Sequence, residues 1–234
     1  MTDRRLALVT GASSGIGLAI ARRLAGDGFE VVGLSRRSPP AAVVAEWVEI
    51  DLSDLRGLAD RLKDLEKRYG DTEVLVLNAG RGDLGALEEF SYGQIGALVD
   101  LNFTSQAYLA RAFVPAMKRR RRGHLVFIGS EASHRGAARG SVYCASKFAQ
   151  RGFAQALRQE VSARGVRVSF ISPGMTRTPF YDHLEIEPGE DPENALLPDD
   201  VADAVALVVS ARPEAVVDEI VLSPLKRVVR RRQQ

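Results

Sequence analysis

The chain has 234 residues, enough to bury well over half of the surface its unfolded form would expose, so a core needs no disulfide or metal staple. A hydrophobic fraction of 45%, a charged fraction of 26% and a net charge of +2 exclude a disordered chain and one that binds nucleic acid over its whole surface. One cysteine excludes an internal disulfide, and neither it nor His124, His134 and His183 show metal-ligand spacing, so no metal is expected.

Taken in chain order, short apolar runs rich in branched residues predict strands at Leu6–Thr10, Glu30–Ser35, Trp47–Asp51, Val74–Asn78, His124–Ser130, Val166–Ile171 and Glu219–Leu222. Helical patterns fall between them at Gly15–Asp27, Ser53–Tyr69, Phe90–Arg119, Val142–Arg164 and Asp199–Ala211. The long Phe90–Arg119 stretch reads as two helices, with Gly93, Gly96 and Asp100–Asn102 as candidate breaks. Near-continuous apolar strands separated by helices give an α/β fold with a single parallel sheet of about seven strands covered on both faces. Right-handed crossovers make it a doubly wound Rossmann-type sheet. No composition break divides residues 1–234, so they read as one domain, with residues 223–234 as a basic C-terminal tail.

Two stretches read as irregular. Ser38-Pro39-Pro40 leaves room for only a short helix between the second and third strands, and residues 178–198 carry four prolines and a glycine among acidic residues. A loop of that length is usually functional, and this one follows a strand end, where ligands bind in such sheets. The basic runs Lys118–Arg122 and Lys226–Arg232 read as a helix C-terminus and a solvated tail, with contact to a nucleic acid or an anionic surface as the lesser alternative. Met1–Arg5 lead straight into a short apolar strand, so neither a signal segment nor a membrane span is expected. The expected setting is cytoplasmic, the expected partner a small molecule, and neither nucleic acid nor membrane is expected as a partner.

The first chemical signal is Thr10-Gly11-Ala12-Ser13-Ser14-Gly15-Ile16-Gly17, between a strand and a helix. Glycines there let backbone approach a pyrophosphate, and the helix N-terminus supplies unpaired N–H groups and partial positive charge. In isolation the segment is also compatible with a plain tight turn. The second signal is an absence. Dinucleotide folds that take NAD place an acid at the end of the second strand, and this chain has Ser35-Arg36-Arg37. A carboxylate repels a 2′-phosphate and an arginine fork binds it, so NADP(H) is the expected cofactor, with Arg36 nearest the strand end, unless both arginines merely face solvent.

The third signal is Tyr143-Cys144-Ala145-Ser146-Lys147 at a helix start. Tyrosine and lysine four apart share one helical face, and a fixed cation favours the phenolate, moving the phenol from its ordinary pKa of about 10 toward the working range. Alone, such a pair is an ordinary surface pair. It gains meaning from the buried strand Leu125–Ser130, which ends in a hydroxyl thirteen residues before Tyr143.

With Asn78-Ala79-Gly80, Asn102 and Pro173–Thr178, these segments resemble the short-chain dehydrogenase/reductase family over nearly the whole chain. The resemblance implies an enzyme that interconverts a carbonyl and an alcohol with NADP(H). Tyr143 would exchange the proton, Lys147 would lower its pKa and bond the nicotinamide ribose, and Ser130 would hold the substrate oxygen. Asn102 would position a water behind the lysine. Gly11, Ser13, Ser14, Gly15, Ile16 and Gly17 would cradle the phosphates, with Ser35, Arg36 and Arg37 at the 2′-phosphate. Asp51 and Leu52 would meet the adenine, and Asn78, Ala79 and Gly80 its ribose. Pro173, Gly174, Thr176 and Thr178 would shape the nicotinamide end. A homodimer or homotetramer is implied as well. The rival reading is a non-catalytic dinucleotide-binding sensor, which would be expected to lose Tyr143 or Lys147. The substrate pocket is expected from 83–87, 131–140 and 179–197, with His134, His183, Arg135 and Arg139 as candidate lining.

Overall fold

The computed structural model describes residues 4–40 and 42–232. Seven parallel strands form the main sheet: β1 (Leu6–Thr10), β2 (Glu30–Ser35), β3 (Glu46–Glu49), β4 (Val74–Leu77), β5 (Gly123–Ile128), β6 (Val166–Pro173) and β8 (Glu219–Leu222). Their order is β3-β2-β1-β4-β5-β6-β8, the doubly wound arrangement expected, with the direction of winding reversing between β1 and β4.

Because the sheet is covered on both faces, alternate residues of each strand enter two different cores. Leu6 and Leu8 of β1, with Leu125 and Phe127 of β5, pack under α2 (Leu55–Tyr69), α4 (Ser105–Arg120) and α5 (Ser141–Val161). Ala7 and Val9, with Val126 and Ile128, pack under α1 (Gly15–Gly26) and α6 (Pro198–Ser210). Full burial of one such side chain contributes about 1.5–3 kcal/mol, so these two layers dominate the favourable terms.

The predicted break in the long helical stretch is real and takes an unusual form. α3 (Tyr92–Val99) starts at a reciprocal cap between Ser91 and Gln94, and a π-helical turn over Asp100–Thr104 joins it to α4. Such turns recur at functional sites because they push one residue out of the regular ladder. Here that turn carries Asn102, which is fully buried.

Two expectations differ from the structure. No helix forms between β2 and β3 among the described residues; the two prolines remove backbone donors, and Ala42 takes a left-handed φ of 72° instead. The basic C-terminal segment is not a free tail: β9 (Val229–Arg231) pairs antiparallel with β7 (Ile186–Pro188) inside the long loop after β6. The other basic run is also partly engaged. Arg120 donates to Thr72 O at 2.8 Å and Arg122 pairs with Glu73 at 2.8 Å, tying the end of α4 to the turn before β4. No helix among the described residues is long and apolar enough to cross a membrane.

One buried histidine gives the fold a pH dependence. His124 is fully buried in β5, and its Nε2 lies 2.9 Å from Ser169 Oγ. That hydroxyl already donates to Val217 O at 2.7 Å, so His124 must be the donor and carries its proton on Nε2. Burial, helped by the charge of Arg167, pulls its pKa down to about 3. Below about pH 6.5 the unfolded chain takes up a proton that the folded chain refuses, so stability falls as pH drops from there toward 3. The unfolding free energy of His124→Gln, from urea titrations, should fall less steeply than that of the native chain between pH 6.5 and 4.5, by up to about 1.4 kcal/mol per pH unit. Parallel slopes for the two proteins would contradict this assignment.

Candidate active site

A cleft of about 660 Å³ opens along the carboxyl ends of the central strands, at the β1–β4 reversal. Its floor is fixed by the Thr10 hydroxyl, which donates to Val76 O at 3.2 Å and accepts from the N–H groups of Asn78 (2.8 Å) and Ala79 (2.9 Å). Asn78 Nδ2 returns a bond to Thr10 O at 2.8 Å. These bonds lock the end of β1 to the end of β4.

The following turn needs glycine for physical reasons. Gly11 and Gly15 sit at φ of 70° and 54°, where a Cβ is strained. At Gly17 a Cβ would lie 2.3 Å from Gly11 O, so the chain passes too close to itself for any side chain. Ser14 caps α1 in an extended conformation without bonding through its hydroxyl, and the first turn of α1 holds no acid. First-turn N–H groups have no partner within a helix, so this end of the cleft is built for an anion.

At the far end, Ser35, Arg36 and Arg37 leave β2 and line the same cleft, with both arginines exposed. Ser35 Oγ donates to Arg37 O at 2.7 Å and sets the backbone of that turn. Asp51 stands opposite. Burial works to raise its pKa, but two hydrogen bonds from Ser53 and the charge of Arg36 outweigh it and hold the carboxyl below its usual range. Leu52 is buried beside it in the wall.

The third part of the cleft brings together Ser130, Tyr143 and Lys147. Ser130 sits just past β5, where its Oγ accepts from Ala132 N at 3.1 Å. Lys147 is only 4% exposed; its Nζ donates to Ile128 O and to Gln150 Oε1, each at 3.2 Å. Gln150 in turn donates to Gln106 Oε1, and Gln106 donates to Ala79 O at 2.6 Å. Burial pulls Lys147 down to about 8 and pushes the half-buried Tyr143 up to about 12, with the Ser130 hydroxyl working against the rise. The sequence argument expected Lys147 to lower the phenol's pKa. In this structure desolvation disfavours both charged forms and dominates.

Of the residues named from sequence, positions 11, 13–17, 35–37, 51–52, 78–80, 130, 143, 147, 173–174, 176 and 178 all line this cleft. Asn102 does not. Its Oδ1 accepts from Arg81 N at 2.9 Å, and its Nδ2 donates to Arg81 O and Ser146 Oγ, both at 3.0 Å. Ser146 Oγ donates on to Tyr143 O at 2.7 Å. Both amide N–H groups of Asn102 are therefore spent on the backbone beside Gly80 and on the turn that carries Tyr143. Thr176 and Thr178 likewise use their hydroxyls on Gly174 O and Thr176 O.

Several residues of the stretches expected to line the substrate pocket reach the cleft. Phe180 lies 6.1 Å from the Tyr143 ring and leaves no room for a side chain at Gly82, where a Cβ would fall 2.4 Å from it. His183 lines the cleft with Nε2 2.8 Å from Gly82 O, whereas His134 bonds Ser172 and Glu219 outside it. Arg139 pairs with Glu89 at 3.0 Å outside the cleft, while Arg135 lines it with its side chain exposed. Gln150, buried behind Lys147, was missed, though it was findable as a polar residue three past Lys147 on the same helical face.

With this geometry in hand, comparison with known proteins is specific. The family model described as short chain dehydrogenase matches residues 5–188. The chain is 36% identical over 211 residues to estradiol 17-beta-dehydrogenase 1 of Rattus norvegicus, a match covering 82% of this chain and 60% of that protein. Among solved structures, a metagenomic short-chain oxidoreductase in complex with NADP superposes with a TM-score of 0.79 at 33% identity, covering 94% of this chain and 96% of that one. An alcohol dehydrogenase from the archaeon Thermococcus sibiricus, complexed with 5-hydroxy-NADP, gives 0.83 at 28% identity, covering 96% and 99%.

Proposed function

The chain belongs to the short chain dehydrogenase family, and from that premise we propose that it is an NADP(H)-dependent oxidoreductase reducing a ketone or aldehyde to an alcohol, with Tyr143 as the proton donor. The observation that carries the reading is continuity: one cleft runs from the arginines after β2, past the N-terminus of α1, to Ser130, Tyr143 and Lys147.

The residues present fit a dinucleotide phosphate. The glycine turn leaves backbone where side chains would clash, α1 offers uncapped first-turn N–H groups, and Arg36 and Arg37 stand exposed where a 2′-phosphate would fall. Asp51 and Leu52 would flank the adenine and residues 78–80 its ribose, while Pro173, Gly174, Thr176 and Thr178 would shape the nicotinamide end. The bound cofactor would supply the hydride.

The chain's own groups supply the rest. Ser130 and Tyr143 both offer hydroxyl donors to one substrate oxygen, polarising it and stabilising the negative charge that develops there. A phenol pushed up to about 12 keeps its proton through neutral pH, the form required to give one away. As it leaves Tyr143, the Lys147 ammonium one helical turn on stabilises the phenolate. Asn102 acts as a positioning residue, holding Ser146 and hence the backbone at Tyr143. We place the enzyme in the cytoplasm, where a buried and unpaired Cys144 suits a reducing setting. A homodimer or homotetramer is supported by exposed Tyr108 on α4 and Phe148 on α5.

Tyr143→Phe should lower kcat/KM by about 10²–10⁴-fold while NADPH affinity, read by fluorescence titration, stays near native. A variant that keeps its activity would refute the assignment of the proton donor. NADPH should be preferred to NADH, and Arg36→Asp should reverse the ratio of the two kcat/KM values. A native preference for NADH would remove the argument from the arginines.

A further inference from the structure

The C-terminal segment does something that its composition hides. The loop after β6 supplies Phe180, Tyr181 and His183 to the Tyr143 end of the cleft. Its own strand, β7, has no place in the main sheet and, among the described residues, pairs only with β9, through Ile186↔Arg231, Glu187↔Arg230 and Pro188↔Val229. A two-stranded ladder this short is marginal by itself, and a proline in one strand weakens it further.

Charge makes up the deficit. Arg232 Nε meets Glu187 Oε2 at 3.0 Å, and its Nη1 donates to Asp182 O at 2.7 Å. One guanidinium therefore joins β7 to the short turn Pro179–Tyr181 that carries Phe180. Arg230 pairs with Glu190 and lies 3.9 Å from Glu187, and Lys226 pairs with Glu193. Backbone bonds run alongside: Gly189 N donates to Val228 O at 3.0 Å, and Arg232 N to Glu185 O at 2.8 Å. At the other end of the segment, Arg227 meets Glu131, the residue after Ser130, at 2.7 Å. Single exposed pairs contribute little, but these act on one loop from both of its sides.

We propose that residues 226–232 form a strap that positions the substrate loop, with Arg230 and Arg232 as positioning residues that hold Phe180 and Tyr181 over the Tyr143 end of the cleft. The proposal rests on reading that end as the substrate half. The strap governs how well a carbonyl substrate is gripped and leaves the dinucleotide half alone. Because its pairs reach solvent, raising salt toward 1 M, where screening acts within about 3 Å, should loosen it.

The test is the full-length Arg230→Gln/Arg232→Gln variant, with Glu187→Gln made from the opposite side. NADPH affinity should stay within about twofold of native, which also shows that the variants fold, while KM for a carbonyl substrate rises about tenfold and kcat moves much less. The salt dependence of KM should be lost in the variants. Amide hydrogen exchange at Gly189 and Arg232 should accelerate in both, without needing turnover. Unchanged exchange, or faster exchange with KM unaltered, would overturn the positioning role. If the native protein turned over no carbonyl, exchange would still decide the strap, and the failure would fall on the catalytic reading.

Discussion

Everything at the reacting end of the cleft depends on one expensive feature, the burial of the Lys147 ammonium. A lysine is rarely this buried without a carboxylate, and the acceptors here are neutral: the last carbonyl of β5 and the side chain of Gln150. Those acceptors have to be held in place. Gln150 leans on Gln106, which leans on the carbonyl of Ala79 past β4. Asn102 ties the backbone beyond Gly80 to Ser146 and so to the turn of Tyr143. The result is a polar seam through an otherwise apolar layer, registering α5 against β4, β5 and α4. Buried networks of this kind rigidify a site only when every member is satisfied.

The sheet explains why such a seam can meet a phosphate-binding turn at all. Parallel strands send all their carboxyl ends to one edge, and reversal of the winding between β1 and β4 leaves a crevice there. The Thr10 hydroxyl closes the floor of that crevice by bonding two backbone donors after β4. Electrostatics then divides it. Unpaired N–H groups and arginines occupy the end that takes negative charge, while desolvation at the reacting end raises the pKa of Tyr143 and lowers that of Lys147.

Most of the sheet and much of the site were legible because their signals are local in sequence. Apolar runs of strand length, a glycine turn before a helix, and a tyrosine one helical turn before a lysine each announce themselves within a few residues. The parts that were missed are non-local or depend on burial. The β7–β9 ladder joins charged segments more than forty residues apart, and a run such as Val228–Arg232 reads as a tail until Glu187 and Asp182 are placed beside it. The sequence marked a break at Asp100–Asn102 but not its π-helical form, so the consumption of the Asn102 amide was not foreseeable. A lysine was expected to acidify its tyrosine; the spacing shows that they are neighbours, but only the packing shows the desolvation that raises the phenol.

The central claim is that the two ends of one cleft act on the same carbonyl. The most direct measurement gives the native protein NADPH deuterated at the transferable position together with a panel of ketones and aldehydes, and examines the products by mass spectrometry. The account predicts an alcohol carrying one deuterium on the former carbonyl carbon. Tight NADPH binding with no deuterium in any product across a broad panel would contradict it and leave a dinucleotide sensor in its place.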